Sequence, residues 1–281
     1  MGKKYSKKEI HSKWNDITEE PNLVYRNGEK IFNYSGFVKG HLDLRYFEYI
    51  SKIMLEHFDI IKKIGKNTDG LRDSKSFDVG HDGISDATKR IKKYGHIKFD
   101  EEPFAKALYN SNKLFSFGKI FDYETPLKEK EASGIGEIDL LSKRNEEVGI
   151  IELKIGKSQK GETLLRALME AYTFTKLINN RKEKFIEDFG LKNEISFRPI
   201  VLTLTDSFCA ENMHMLVNGN APNLKDLIIK MNAHLAKIGI PPFEFYAFDS
   251  ENPALKQDEQ GKIIFENSKF LEARVMKYDY R

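Results

Sequence analysis

The stretch from Ile135 to Ile155 constrains this chain more than any other. Two aliphatic runs, Ile135-Gly-Glu-Ile-Asp-Leu-Leu141 and Val148-Gly-Ile-Ile-Glu-Leu-Lys-Ile155, flank the turn-like segment Ser-Lys-Arg-Asn-Glu-Glu. Side chains alternate along a strand. Glu152 and Lys154 therefore share one face of the second run, and Ile151, Leu153 and Ile155 share the other. On the first run Glu137 and Asp139 share a face, with Ile138 and Leu140 opposite. A hairpin centred near Asn145 sets Asp139 almost opposite Glu152, where cross-strand Cβ atoms lie about 5 Å apart. Three carboxylates and one lysine then converge on one side, and the aliphatic side packs into the core. Ile150, Ile151, Leu153 and Ile155 make the second strand read as buried on both faces. A charge buried there needs partners or a metal.

Such a cluster suits phosphodiester chemistry. Neighbouring carboxylates repel, and burial strengthens the repulsion. A hard cation relieves it, and Mg²⁺ favours a few carboxylate oxygens together with waters and substrate phosphate. A lysine beside the ion neutralises charge developing on phosphate oxygens. The competing reading of the same residues is a solvated edge hairpin with Lys154 merely paired to an acid.

The flanking sequence supplies a mixed α/β order. A helix is expected from Pro103 toward Leu114, followed by strands near 117–125, 135–142 and 148–155. A long helix over 162–179 carries Leu164, Leu168, Ala171, Thr175 and Ile178 on one stripe. A strand over 197–205, helices near 209–217 and 223–237, and a strand near 243–248 complete the region. Upstream, residues 22–34 read as a hairpin turning at Asn27-Gly28, and 41–64 as helical. Residues 65–83 read as a loop and 84–94 as another helix. The expected division is an N-terminal α+β lobe over 1–98 and a catalytic domain over 99–281.

Composition narrows the class. The 281 residues are 40% hydrophobic and 32% charged, as in a soluble globular protein. No apolar run approaches the roughly 20 residues of a membrane helix. The basic segment Met1–Lys13 lacks the apolar stretch of a signal peptide and reads as a solvated tail or a phosphate-seeking arm. The single cysteine, Cys209, excludes an internal disulfide and reads as a buried small hydrophobe, consistent with a cytoplasmic location. A net charge of +3 is too even to identify a nucleic-acid partner by itself. His41, His57, His81 and His96 lack a close metal-binding spacing, and no phosphate-cradling loop or nucleophile elbow is present.

Gly136-Glu-Ile-Asp139 on one strand and Glu152-Leu-Lys154 on the next resemble the signature of the PD-(D/E)XK, or restriction-endonuclease-like, nuclease superfamily. The α-β-β-β-α-β order over about residues 100–205 resembles its core. The resemblance implies a mixed central sheet flanked by helices and metal binding by Asp139 and Glu152, with Mg²⁺ as the ion and Mn²⁺ as the alternative. It implies a catalytic role for Lys154, and DNA as substrate with RNA as the alternative, in restriction, phage defence or repair, with a homodimer compatible. Members often carry a further glutamate on the preceding helix, and Glu101 and Glu102 both occupy that position. The proline of the family's name is absent before Asp139, and Gln159 is followed four residues later by Thr163 rather than tyrosine. Lys157, Lys160 and Arg166 are candidate phosphate contacts. The row Glu162, Arg166, Glu170 also reads as a surface ion-pair ladder. A non-catalytic binding module on the same fold is the competing function.

Overall fold

The computed structural model describes residues 5–19, 21, 24–33, 36–66, 97–127, 136–157, 162–192, 194–249, 253–267, 269–272 and 274–280. Gln159, Lys160, His81, His96, the 84–94 helix and most of the 65–83 loop lie outside them.

The first helix, α1 (Lys7–Ile17), replaces the expected basic tail. Ser6 and Glu9 form a reciprocal capping box at its start. Ile10, Trp14 and Ile17, at helical spacing, are buried. The expected hairpin over 22–34 is also absent. Its residues form two short helical turns, α2 (Val24–Asn27) and α3 (Glu29–Phe32). The spacing of Val24, Ile31 and Phe32, all buried, outweighs the Asn-Gly turn signal. Helices α4 (Tyr46–Glu56) and α5 (Phe58–Lys63) follow, broken at His57.

From residue 100 the expected order holds. Asp100 caps α6 (Glu101–Asn110), and β1 (Leu114–Phe115), β2 (Gly118–Pro126), β3 (Glu137–Arg144) and β4 (Glu147–Lys154) follow. Then come α7 (Leu164–Asn179), α8 (Lys182–Asp188), β5 (Ser196–Leu204), α9 (Phe208–Val217), α10 (Pro222–Ala236) and β6 (Glu244–Phe248). The end of the chain adds a hairpin of β7 (Leu255–Gln257) and β8 (Ile263–Phe265), then α11 (Lys269–Glu272) and β9 (Val275–Tyr278).

Seven strands form one mixed sheet in the order β1-β2-β3-β4-β5-β6-β9. β5 runs parallel to β4 and to β6, and the other pairings are antiparallel. One face packs against α7, α9, α10 and the N-terminal helices, with Ile150, Val201, Leu165 and Leu168 in a single apolar cluster with Ile10, Phe32 and Phe47. The opposite face, with Leu140, Ile151, Leu153 and Leu202, packs against Phe104 of α6 and Phe265 and Phe270. The architecture is thus mixed α/β, a large mixed sheet flanked by helices.

The N-terminal helices are tied in by a polar contact as well. Helix α10 begins at Pro222 after Ala221, which offers no side-chain cap. Glu48 of α4 supplies the missing acceptor, taking the Asn223 and Leu224 main-chain N–H groups at 3.0 Å each. A carboxylate at a helix N-terminus satisfies orphan donors and complements the helix dipole. Among the described residues no helix is long and apolar enough to cross a membrane.

Candidate active site

Strand β4 lies at the middle of the sheet, so its end carries side chains into the interior on both faces. On one side it pairs with β3 from Arg144–Glu147 to Leu140–Ile151. On the other it pairs in parallel with β5 along its full length, from Glu147–Ser196 to Lys154–Thr203. The β3–β4 register is the one expected from a turn at Asn145, which takes a positive φ of 57°. Pairing with β3 stops at Leu140–Ile151, and the strands then part. Asp139 fills the gap, its Oδ2 accepting the Leu153 main-chain N–H at 2.7 Å.

The parting corrects two details of the simple hairpin. Ile138 and Leu140 do not share a side: Ile138 joins the α7-facing cluster and Leu140 the α6-facing one. Both residues stay paired with β2, opposite Thr125 and Tyr123, and between those two Glu124 takes a positive φ of 47° that breaks the regular pleat. Glu137 is exposed and does not join Asp139 against the lysine.

The amine of Lys154 is the centre of the site. Its Nζ lies 2.9 Å from Glu162, 3.1 Å from Glu170, 3.7 Å from Glu101, 3.7 Å from Glu152 and 3.8 Å from Asp139. Lys154 is 5% exposed and Glu152 only 2%, so this is an interior cluster rather than a solvated strand face. Arg166 adds the second cation, with Nη2 2.6 Å from Glu170 and Nε 3.9 Å from Glu162. The helical row Glu162, Arg166, Glu170 therefore faces the sheet, and its reading as a surface ladder is overturned: Arg166 and Glu170 are buried.

The electrostatics follow from five carboxylates crowded around two cations. Burial, reinforced by Asp139 and Glu170, holds Glu152 well above the ordinary carboxylate range. Burial pushes Glu101 up to about 8, with Lys154 opposing and Asp139, Glu162 and Glu170 adding to the rise. Burial likewise raises Glu170 against the pull of Lys154 and Arg166. Glu162 is the exception. Burial works against its charge, but Lys154, then Asn33 and Arg166, outweigh it and hold it low. Burial also works against the charge of Lys154, yet Glu170, Glu101, Asp139 and Glu162 together raise its pKa well above the usual lysine value.

The sequence-derived candidates separate clearly. Asp139, Glu152, Lys154 and Glu101 come together. Glu102 does not: it turns to Lys106 at 2.8 Å, one helical turn along α6, and Lys106 in turn reaches Glu124 at 3.5 Å. Adjacent helix positions point about 100° apart, so the two glutamates could not both enter. Lys157 pairs with Asp206 at 2.5 Å near the surface. Cys209 is a buried free thiol, its pKa raised by burial. Tyr172 is wholly buried beside Phe243.

Glu162, Glu170 and Asn33 enlarge the cluster beyond the residues the sequence points to. The four-residue spacing of Glu162, Arg166 and Glu170 was the available signal, and burial of the helix carrying them was the missing one. Asn33 carries no signal in the sequence at all.

Among the described residues, no group of three or more His, Cys, Asp and Glu side chains is arranged to hold a metal ion. Asp139 and Glu152 are nonetheless two oxygen donors of the kind that a hard divalent ion retaining waters would take. Both approach the Lys154 ammonium, at 3.8 and 3.7 Å, and Glu152 Oε1 is fully buried without a hydrogen-bond partner. A buried carboxylate oxygen left unpaired in a low-dielectric interior is costly, and a cation removes that cost. Comparison with protein-family models, with curated proteins and with solved structures finds no match.

Proposed function

We propose that this chain is a Mg²⁺-dependent deoxyribonuclease built on a restriction-endonuclease-like α-β-β-β-α-β core, with Mn²⁺ as an alternative ion. The order α6, β2, β3, β4, α7, β5 supports the core assignment. The observation that carries the activity is the meeting of Asp139, Glu152 and Lys154 where β3 and β4 part, within 3.8 Å of one amine. Asp139 and Glu152 are the residues that would hold the ion. When bound, a divalent ion there acidifies a water and offsets charge on the phosphate.

The protein's own groups have distinct tasks. The Leu153 N–H fixes the Asp139 carboxylate, so its free oxygen keeps one direction. Lys154 stays protonated and offers its ammonium to the phosphate oxygens, where charge builds in the transition state. Glu101, with its pKa raised to about 8, is suited to exchange a proton near neutral pH. Arg166 and Lys157 are the described candidates for backbone phosphate contacts.

A second reading is a nucleic-acid or protein-binding module. It is favoured by the short Lys154–Glu162 and Arg166–Glu170 pairs, which neutralise part of the cluster internally. Incubation of purified protein with plasmid, linear duplex and single-stranded DNA, and with RNA, in Mg²⁺, Mn²⁺ or EDTA separates the two. Metal-dependent cleavage lost in Asp139→Ala and Lys154→Ala supports the nuclease. Mobility shift without cleavage in every metal supports the binding module, and cleavage of RNA alone reassigns the substrate.

A further inference from the structure

Among the described residues, Asn33 of the N-terminal segment carries a polar side chain that reaches the acid cluster. Asn33 follows α3 and meets the residues that open α7. Its Nδ2 donates to Glu162 Oε1 at 2.8 Å, and its Oδ1 accepts the Thr163 N–H at 3.3 Å. An amide satisfies both contacts in this orientation, since one partner is an acceptor and the other a donor, whereas an ionised carboxylate cannot. Beside it, the Thr163 hydroxyl donates to the Phe32 carbonyl at 2.5 Å and accepts the Arg166 N–H at 3.2 Å, capping the helix. Phe32 and Thr163 are both fully buried. The tie thus grips the start of the helix that carries Glu162, Arg166 and Glu170.

Glu162 has two oxygens and two tasks. One oxygen, Oε1, receives the Asn33 amide. The other, Oε2, lies 2.9 Å from Lys154, the shortest of that amine's carboxylate contacts. A glutamate preceding a helix cap has three free side-chain torsions, and holding it costs conformational entropy. The Asn33 amide fixes one end of the carboxylate and so directs the other.

We infer that Asn33 is a positioning residue for the proposed reaction, acting through Glu162 to set where the Lys154 ammonium stands among Asp139, Glu152 and Glu101. The inference rests on the nuclease reading and adds to it a functional role for the N-terminal helices. The shorter of Asn33's two contacts is the one to Glu162, at 2.8 Å against 3.3 Å to Thr163, so Glu162 is its main route to the lysine.

The test is a double-mutant cycle on cleavage of the DNA substrate found by the metal panel. Asn33→Ala lowers kcat by about tenfold with KM little changed, as expected for loss of an outer partner to a catalytic group. Asn33→Asp lowers it at least as far. It keeps the acceptor for Thr163 and nearly the same shape, but sets a second carboxylate against Glu162. In a Glu162→Gln background the Asn33→Ala loss shrinks to less than about twofold, because the path is already cut. Urea midpoints of each variant identify any that fail to fold, and the isosteric Asp variant then decides. Wild-type kcat in folded Asn33→Asp, or full additivity with Glu162→Gln, overturns the inference while leaving the nuclease reading intact. A wild-type protein that cuts no nucleic acid in any metal removes both.

Discussion

Asp139 and Leu153 are joined by a hydrogen bond of the kind a β-ladder normally makes for itself. The carboxylate takes the N–H at 2.7 Å just past the last β3–β4 pair. A side chain has replaced a main-chain acceptor, and the two strands are free to spread without orphaning the Leu153 donor. The acid that would hold an ion is thereby locked to the strand that carries the lysine.

Replacing Asp139 separates its charge from its scaffolding role. Asp139→Asn still accepts the Leu153 N–H, so the strands stay in place. It removes one of five crowded carboxylates, so the urea midpoint holds or rises. Metal-dependent cleavage falls on the order of a hundredfold or more, at or beyond the upper end for outer partners of a metal site. Loss of activity together with a lowered midpoint would mean that Asp139 serves the fold instead.

Removal of Lys154 leaves buried acids without their central cation. Lys154→Met is expected to cost about 3–5 kcal/mol at pH 7, the usual consequence of breaking a buried ion pair from one side. Part of that loss returns at pH 5, where the raised carboxyls hold protons. Mg²⁺ stabilises this variant, because a ligand that binds only the native state shifts unfolding by mass action. Thermal melts with and without Mg²⁺ at the two pH values read all three effects.

The raised carboxyls dictate a sign for pH dependence. Glu101 titrates near 8 in the folded protein and near the ordinary carboxylate value of 4.5 when unfolded. Between those values the native state binds more protons than the unfolded one. Stability is therefore greatest below about pH 4.5 as far as this group is concerned, and it declines as pH rises toward about 8. A cation held by the neighbouring Asp139 and Glu152 would be favoured once Glu101 loses its proton, so Mg²⁺-induced stabilisation is expected to grow with pH up to about 8 and then level. Glu101→Gln flattens both trends, as calorimetric Mg²⁺ titrations from pH 6 to 9 would register. An unchanged slope in that variant would place the titrating group elsewhere.

Glu102 provides the matched control. It pairs with Lys106 on the side of α6 away from the lysine. Glu102→Ala is expected to keep cleavage within about twofold and to cost less than about 1 kcal/mol, in the range for a partly exposed ion pair one turn apart. Equal loss of kcat in Glu101→Gln and Glu102→Ala would contradict the division of the two residues described above.

Glu48 tests how firmly the N-terminal helices hold the rest. Its carboxylate caps α10 from a distant part of the chain. Glu48→Ala is expected to lower stability by about 2 kcal/mol, the scale of lost hydrogen bonds to a charged, buried acceptor. Urea denaturation measures this directly, and a change under about 0.5 kcal/mol would show the cap to be dispensable.

The sequence disclosed most where one short signal decided the structure. The turn at Asn145 accounts for the β3–β4 register as far as Leu140–Ile151, beyond which Asp139 and Glu152 both approach Lys154. It disclosed least where two signals competed. Asn27-Gly28 has strong turn character, yet the spacing of Val24, Ile31 and Phe32 made helix there. Lys7, Lys8 and Lys13 masked the apolar stripe of Ile10, Trp14 and Ile17. The short strand Val275–Tyr278 and the hairpin at Leu255–Phe265 have too few residues to show a period. Glu162 and Glu170 were visible as a row, but which way a helix turns its charged row depends on what packs around it. That information lies in distant parts of the chain.

The parallel seam between β4 and β5 has a consequence for the order in which this molecule comes into being. Every acid around Lys154 has been synthesised by residue 170, but the strand that braces Glu152 and Lys154 from the far side arrives only with residues 196–204. Pairings between segments so far apart in the chain form late, since loop closure must precede them. A ribosome-bound chain thus carries the charged groups of the cluster while lacking the wall that seats them, and the cluster is assembled only after residue 204 has been made.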